Sequence, residues 1–461
     1  MIGSKSLHVV LEELSKIYGK VFSLKLGAHR TVILCDKKAM KEAFVKKDQD
    51  FNGRPELPTF INTRQGCIGV SLTDHNQQYT QNRKLTITSL HRFLRDTQNV
   101  DKVLKLETEK MKSYLDDYAV NGNEFFPLEV FDKVIPSMFL AMMYGANMSY
   151  EDEDLKHITS VYREWFLAAE SDNPADFFPI LAKLPNKRLS IVSRVGKELE
   201  KFNMNMIRQR LETIQQDPNN NDGNSKKCET IVDFMASGED IEAFEDKTFC
   251  REVTKVASDI VGGGFDTAAS TTSWAILYLI HHPEIVQRCR AELCQISSTD
   301  SDKSLSMEAK SDCPYFMATI YEILRMSCVA PTGLLHRTKR DSSIQGYSVP
   351  KNTIVIANLR QMNFDSQEWK QPQQFRPERF LKMNDEGNNV LNTKVCNDIA
   401  TFSAGTRRCP GDKLGISMIF VLLGTLIKRY NFNLVKAPVD MEPIRGITSK
   451  PKHYLLKLSK V

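Results

Sequence analysis

No apolar run in this 461-residue chain reaches the roughly 18–20 residues that a membrane-crossing helix needs. The best stretch, Ile416 to Ile427, is shorter and is broken by Ser417, Gly424 and Thr425. No secretory leader pattern opens the sequence. The ten cysteines include no C-x-x-C pair and no Cys/His cluster at zinc spacing, which excludes zinc-ribbon and thioredoxin-type chemistry. Scattered single cysteines in a chain of this size read as reduced thiols facing a cytosolic environment. Neither sign of charge dominates: 62 Lys and Arg against 57 Asp and Glu leave +5. That balance lacks the dense basic stripe of a nucleic-acid binder, while it suits an acidic protein partner. Internal repeats and a convincing interdomain linker are absent too. Length alone suggests about three ordinary domains, yet no boundary separates two self-contained cores, so the expectation is one large domain over residues 1–461.

What is present is mostly helical pattern. Leu7 to Ile17 is amphipathic at helical spacing, with Gly19 as its stop. Val21 to Gly27 and Arg30 to Cys35 alternate or carry β-branched residues and predict a two-strand ribbon. Helical patterning then runs for over three hundred residues. Three polar stretches, Gln215 to Cys228, Ser297 to Lys310 and Lys382 to Lys394, read as loops. Ser343 to Ala357 predicts a hairpin followed by a buried strand, and Tyr454 to Leu458 a further strand. The expected fold class is mainly α with a small β part.

One cysteine stands apart. Phe402-Ser-Ala-Gly-Thr-Arg-Arg-Cys-Pro-Gly411 precedes a long apolar helical pattern through Arg429. Proline is favoured at the first position of a helix, so Cys409 is expected at a helix N-terminus. Unpaired N–H groups there lower a thiol's pKa and favour the thiolate. Gly405 and Gly411 permit a tight turn and close approach to a flat ligand, and Arg407 suits an anionic group on it. For an isolated cysteine a buried structural role is the commoner outcome. Here Phe402, Gly405, Arg407, Cys409 and Gly411 share one ten-residue frame.

That frame resembles the proximal loop of the cytochrome P450 family. The resemblance implies that Cys409 is the axial ligand to a haem iron, donating electron density that favours O–O cleavage. Other segments extend it. Glu322-Ile-Leu-Arg325 lies on a predicted helix, Tyr315–Met326, and is followed by Phe375-Arg-Pro-Glu-Arg-Phe380. The family places such an E-x-x-R pair against an Arg of the second segment, which implies a buried ionic triad of Glu322, Arg325 and Arg379. Lys247 to Ile280 predicts a helix about 50 Å long, ended by Pro283. Gly262-Gly-Gly-Phe-Asp-Thr267 sits in its middle, where each glycine costs roughly 1 kcal/mol against alanine. Close packing against another helix is one account of the glycines. The resemblance implies another: Gly264 makes room for dioxygen and a local kink, with Asp266 and Thr267 delivering protons. His336, before Arg337, and Tyr79 and Arg83 of Tyr79-Thr-Gln-Asn-Arg83 are similar to family residues that bind the haem propionates. Tyr79 stands where Trp is usual, and Leu335 where Pro is.

The cofactor implied is haem b (iron protoporphyrin IX), with NADPH used indirectly through a flavoprotein reductase and cytochrome b5 as a further donor. Arg83, Lys84, Arg408 and Lys413 are candidates for a basic docking face, although a solvated face is an equal reading. Phe51-Asn-Gly-Arg-Pro55, Gly264-Phe-Asp-Thr267 and Asp341-Ser-Ser-Ile344 most resemble the microsomal branch that hydroxylates steroids and xenobiotics. That branch sits on the cytosolic face of the endoplasmic reticulum membrane, behind an N-terminal membrane helix and a Pro-rich hinge. Neither precedes Leu7, so the expectation is peripheral contact at most. The family layout implies a pocket from Pro55–Leu72, Phe166–Leu181, Ser258–Thr267, Val329–Leu335 and Ile444–Thr448. The expected activity is a monooxygenase acting with O2 on a small apolar substrate. A haem-thiolate isomerase or dehydratase of oxygenated lipids is a rival that the Asp266–Thr267 pair argues against. A non-catalytic haem or ligand binder is the second.

Overall fold

The computed structural model describes residues 5–66, 68–170, 173–216, 228–237, 247–296, 305–444 and 446–461. Most of the two polar loops predicted at 215–228 and 297–310 lies outside the described residues. The third, at 382–394, holds a short antiparallel pair and a helical turn instead of a plain loop. β7 (Leu381–Met383) pairs with β8 (Asn389–Leu391), and the helix Thr393–Asn397 follows. These elements are too short and polar to leave a periodic pattern.

The helix Lys247–Ile280 has the bounds its sequence pattern suggests. It packs most extensively against the helix Pro127–Tyr144, which carries proline in its first turn, the position where a missing N–H loses nothing. Phe131, Val134, Ile135, Met138, Phe139, Leu140 and Met142 of that helix are buried on every face, the pattern of a helix enclosed in a core. The helices Pro314–Ser327 and Asp412–Arg429 join the same core through Phe316 and Phe420, whose rings lie 5.3 Å apart.

The β part lies to one side. β1 (Val21–Leu26) and β2 (His29–Leu34) form the expected antiparallel ribbon, and β2 then pairs in parallel with β6 (Ile354–Ala357). β6 also holds β3 (His336–Arg337) antiparallel, completing a four-stranded sheet in the order β1-β2-β6-β3. β4 (Ser342–Ile344) and β5 (Tyr347–Val349) make the predicted hairpin. The C-terminal strand is β10 (Leu456–Lys460), two residues later than expected, paired with β9 (Tyr430–Leu434). An isolated bridge between Gly53 and Arg337 ties the segment after Phe51 to β3. That bridge brings Arg54 and His336 to one place. No helix among the described residues is long and apolar enough to cross a membrane.

Candidate active site

The Cys409 loop is fixed from below. Gly405 has φ 72°, and a Cβ there would strike the Phe44 carbonyl, so only glycine fits. Phe44 belongs to a π-helical turn, Glu42–Lys46, of the kind that often marks functional sites. Its ring stacks on His336 at 3.8 Å, so one residue spaces the loop from the histidine. Thr406 donates to the Asp48 carboxylate through Oγ1 at 2.7 Å. The Cys409 amide donates to the Phe402 carbonyl at 3.0 Å. Phe402 itself is partly buried against the core, 5.8 Å from the Arg408 guanidinium.

Cys409 does not sit on the first turn of a helix, as its Cys-Pro sequence suggests. The helix starts at Asp412, with Gly411 as its N-cap. Open space lies beside Gly411. The Cys409 side chain is accessible, yet protein surrounds it closely enough that burial raises its pKa above the usual thiol value. An amide hydrogen bond from Gly411 and the charges of Arg83 and Arg408 only partly offset this. In the chain alone burial is the larger effect on the Cys409 thiol, and a bound cation would favour its thiolate. A metal ion does this outright.

Around it stand three arginines, Arg54, Arg83 and Arg407. The Arg407 guanidinium donates to the carbonyls of Asn52 at 2.9 Å and Thr73 at 2.9 Å and lies 3.8 Å from the Tyr79 ring centroid. Arg54 donates to Ser71 O at 2.9 Å and Leu335 O at 2.7 Å. Arg83 reaches the Arg408 carbonyl, and its buried Nε has no partner. Among the described residues no carboxylate forms an ion pair with any of the three. Burial and mutual repulsion hold Arg54 well below the usual guanidinium range, and burial lowers Arg407 as well. His336 is buried between them, its Nδ1 2.9 Å from Phe51 O. Burial and the charge of Arg54 keep its pKa well below the usual imidazole value. Uncompensated buried cations are costly. A ligand with two carboxylates beside a metal, as haem is, would balance them, so the donor set fits that group.

Tyr79 is buried as the platform beneath Arg407, and its hydroxyl donates to Thr406 O at 3.4 Å. Arg54 is the functional residue missing from the sequence-based set. Its signal was present in Phe51-Asn-Gly-Arg-Pro55, a charge set between a buried aromatic and a proline. The suggested basic face also changes. Arg83 turns inward and Arg408 pairs with Asp412 at 3.0 Å, leaving Lys84 and Lys413 exposed.

The long helix Lys247–Ile280 carries the next group of sequence-predicted residues. A Cβ at Gly264 would fall within the Phe139 ring, whereas at Gly263 it would meet nothing within 4 Å. The open position is therefore Gly263, and Gly264 serves helix packing. The sequence-based assignment of space to Gly264 is corrected by one residue, because consecutive helical positions point about 100° apart. Thr267 donates to the Gly263 carbonyl at 2.6 Å. Asp266 accepts from the Thr448 hydroxyl and pairs with Lys450.

Glu322 and Arg325 are fully buried and joined by two bonds, at 2.7 and 2.9 Å. Arg379 Nε reaches the same carboxylate at 3.0 Å. Arg325 also donates to the Asn363 carbonyl at 2.8 Å, and the Asn363 amide oxygen accepts from Ala400 N at 2.8 Å. The triad thus braces the start of the cysteine loop.

Hydrogen bonds tie the five pocket segments together. Asp176 accepts from Thr59 N at 2.8 Å. Asp259 accepts from Val70 N at 2.7 Å and Ser71 N at 3.0 Å. Thr448 meets Asp266, and Ser449 N donates to Val329 O at 2.7 Å. Cys67, Ser171, Asp172 and Arg445 lie outside the described residues. A cleft of about 980 Å³ lies elsewhere, at Asn62, Lys183, Arg194 and Lys201, and contains none of the residues around Cys409.

A mainly helical chain with an accessible cysteine in such a loop, and buried cations near it, has the donor set of a haem-thiolate protein. The sequence model for cytochrome P450 matches residues 1–458. Relatives include cytochrome P450 1A5 of Gallus gallus, 30% identical over 99% of this chain and 88% of its own length. Cytochrome P450 1A2 of Cavia porcellus is 30% identical over 97% and 86%. Cytochrome P450 1A1 of Chelon auratus is 29% identical over 99% and 87%. The chain belongs to the cytochrome P450 family. It has that family's fold, carries haem b, and is a monooxygenase that takes electrons from NAD(P)H through a redox partner.

Proposed function

We propose that Cys409 binds the haem iron through its thiolate and that Arg54, Arg83, Arg407 and His336 hold the propionates. Gly263 leaves the space in which dioxygen lies, and Thr267 and Asp266 hold and move protons beside it. Glu322, Arg325 and Arg379 brace the loop and touch no reactant. When bound, haem supplies the one-electron and dioxygen chemistry. The protein's part is to orient, exclude water and place protons. The observation that carries this reading is the accessible Cys409 thiol together with the buried Arg54 and Arg407 guanidiniums, which form no ion pair with a carboxylate among the described residues.

The substrate is a small, mostly apolar molecule of steroid, lipid or xenobiotic type, held by the five hydrogen-bonded segments. The electron donor is an NADPH-dependent flavoprotein reductase, with cytochrome b5 as a second, and the site of action is the cytosolic face of the endoplasmic reticulum. The test is the absorption spectrum of the reduced, carbon monoxide-bound protein. A thiolate-ligated band in the parent and its loss in Cys409→Ala is the expected result. An unchanged band in that variant overturns the assignment.

A further inference from the structure

Beside Asp266 a second carboxylate faces the same small cleft. Asp132 of the helix Pro127–Tyr144 and Asp266 of the long helix both line it, together with Thr159, Arg163, Phe166 and Phe265. The cleft measures about 20 Å³, room for about one water. Thr159 Oγ1 is buried without a hydrogen-bond partner. Asp132 pairs with Arg163 at 2.7 Å, and Arg163 is half exposed. Polar groups therefore run from solvent at Arg163, through Asp132 and Thr159, to Asp266, whose neighbour Thr267 lies beside the open Gly263.

We propose that Asp132 is a positioning residue for proton supply, passing protons from solvent through one bridging water to Asp266. The inference rests on the haem-thiolate reading above. In each transfer an O–H bond of the Asp132 carboxyl breaks and one forms on the bridging water. That water gives a proton to the Asp266 carboxylate, and Asp132 regains one from solvent at the Arg163 edge. No electron moves and no heavy-atom bond changes. The charged groups facing Asp132 are Arg163, Lys450 and Asp266. Burial raises its pKa, Arg163 and Lys450 lower it, and Asp266 raises it again. Burial is the largest of these effects, so Asp132 holds a proton more readily than an ordinary surface aspartate.

The test compares Asp132→Asn, Asp132→Glu and Thr159→Val in the reductase-supplied holoenzyme. Expected is a reduced carbon monoxide spectrum like the parent's in all three. Product per NADPH consumed should fall roughly 10- to 100-fold in Asp132→Asn, below the full effect of a positioned proton donor, with peroxide release rising and the pH profile shifting. Asp132→Glu should restore coupling, and Thr159→Val should lose part of it. A crystal structure of the holoenzyme should show one water between Asp132, Thr159 and Asp266. Parent-like coupling in Asp132→Asn, equal losses in the Asn and Glu variants, or a dry cleft would each overturn the relay. An absent thiolate band in the parent would instead overturn the haem-thiolate reading beneath it.

Discussion

Replacing Gly263 with alanine should stabilise the protein and replacing Gly264 should not, although the two residues are adjacent in one helix. Each exchange gains about 1 kcal/mol of helix propensity. At Gly263 the new methyl meets nothing within 4 Å, so that gain stands. At Gly264 it would enter the Phe139 ring, which has little freedom to move. Phe139 is buried and lies 5.9 Å from Phe265, whose ring is itself 5.0 Å from Tyr162. Overpacking of that kind costs about 1–3 kcal/mol, so Gly264→Ala should be neutral or up to about 2 kcal/mol less stable. Urea denaturation of the holoprotein, followed by circular dichroism, reads both. Carbon monoxide recombination after photolysis provides the second measurement: Gly263→Ala should slow it by narrowing the space beside Thr267, while Gly264→Ala should leave it near the parent value. If Gly264→Ala proved the more stable variant, or the one that slowed recombination, the facing of the two glycines would be wrong.

Glu322→Gln should destabilise by about 3–5 kcal/mol, since it strands Arg325 and Arg379 as buried cations; a shift in the denaturation midpoint and loss of haem check this. His8 is buried with its Nε2 unpartnered, and burial lowers its pKa from 6.5 to about 4. Its folded pKa lies below its unfolded one, so the stability it supports is complete above pH 6.5 and is lost as pH falls toward 4. That loss is about 3 kcal/mol at the acid end, and His8→Leu should flatten the stability-against-pH curve there. Arg54→Met should leave the haem-free chain about as stable as before, because the lost hydrogen bonds are offset by relief of a buried, repelled charge. The same change should speed haem loss by about 10- to 100-fold, one charge-assisted bond's worth, measured by transfer to a scavenging globin.

Much of this was legible because the informative residues lie close together in sequence. The Phe402–Gly411 frame, the Glu322–Arg325 pair and the long helix up to Pro283 each carry their signal within a turn or two. Other features depend on residues far apart. Thr448 and Lys450 hold Asp266 from more than 180 positions away, and nothing local to either marks the pairing. Which of Gly262, Gly263 and Gly264 faces open space is set by Tyr162 and Phe139 on neighbouring helices. A run of three glycines has no pattern of its own to show this. Arg54 was overlooked for a related reason: an arginine beside a proline reads as a surface charge until the Gly53–Arg337 bridge turns it inward.

The ring of cations also bears on how the fold and its cofactor depend on each other. Arg54, Arg83 and Arg407 come from three separate segments, and their guanidinium partners are backbone carbonyls of others: Asn52, Ser71, Thr73, Leu335 and Arg408. Those bonds hold the loops near the cysteine, while only the more distant carboxylates of Asp74 and Asp48 offset the buried charges of Arg54 and Arg407. A neutral side chain in each position would spare that cost but could not draw in a carboxylate. The arrangement makes sense where the missing negative charge arrives with the ligand. On the proposed reading, its two carboxylates would stabilise the same loops that enclose it, and its metal would offset the pKa shift that burial imposes on Cys409. Binding and completion of the fold become one linked equilibrium, so variants that weaken the ring should lose haem before they lose helix.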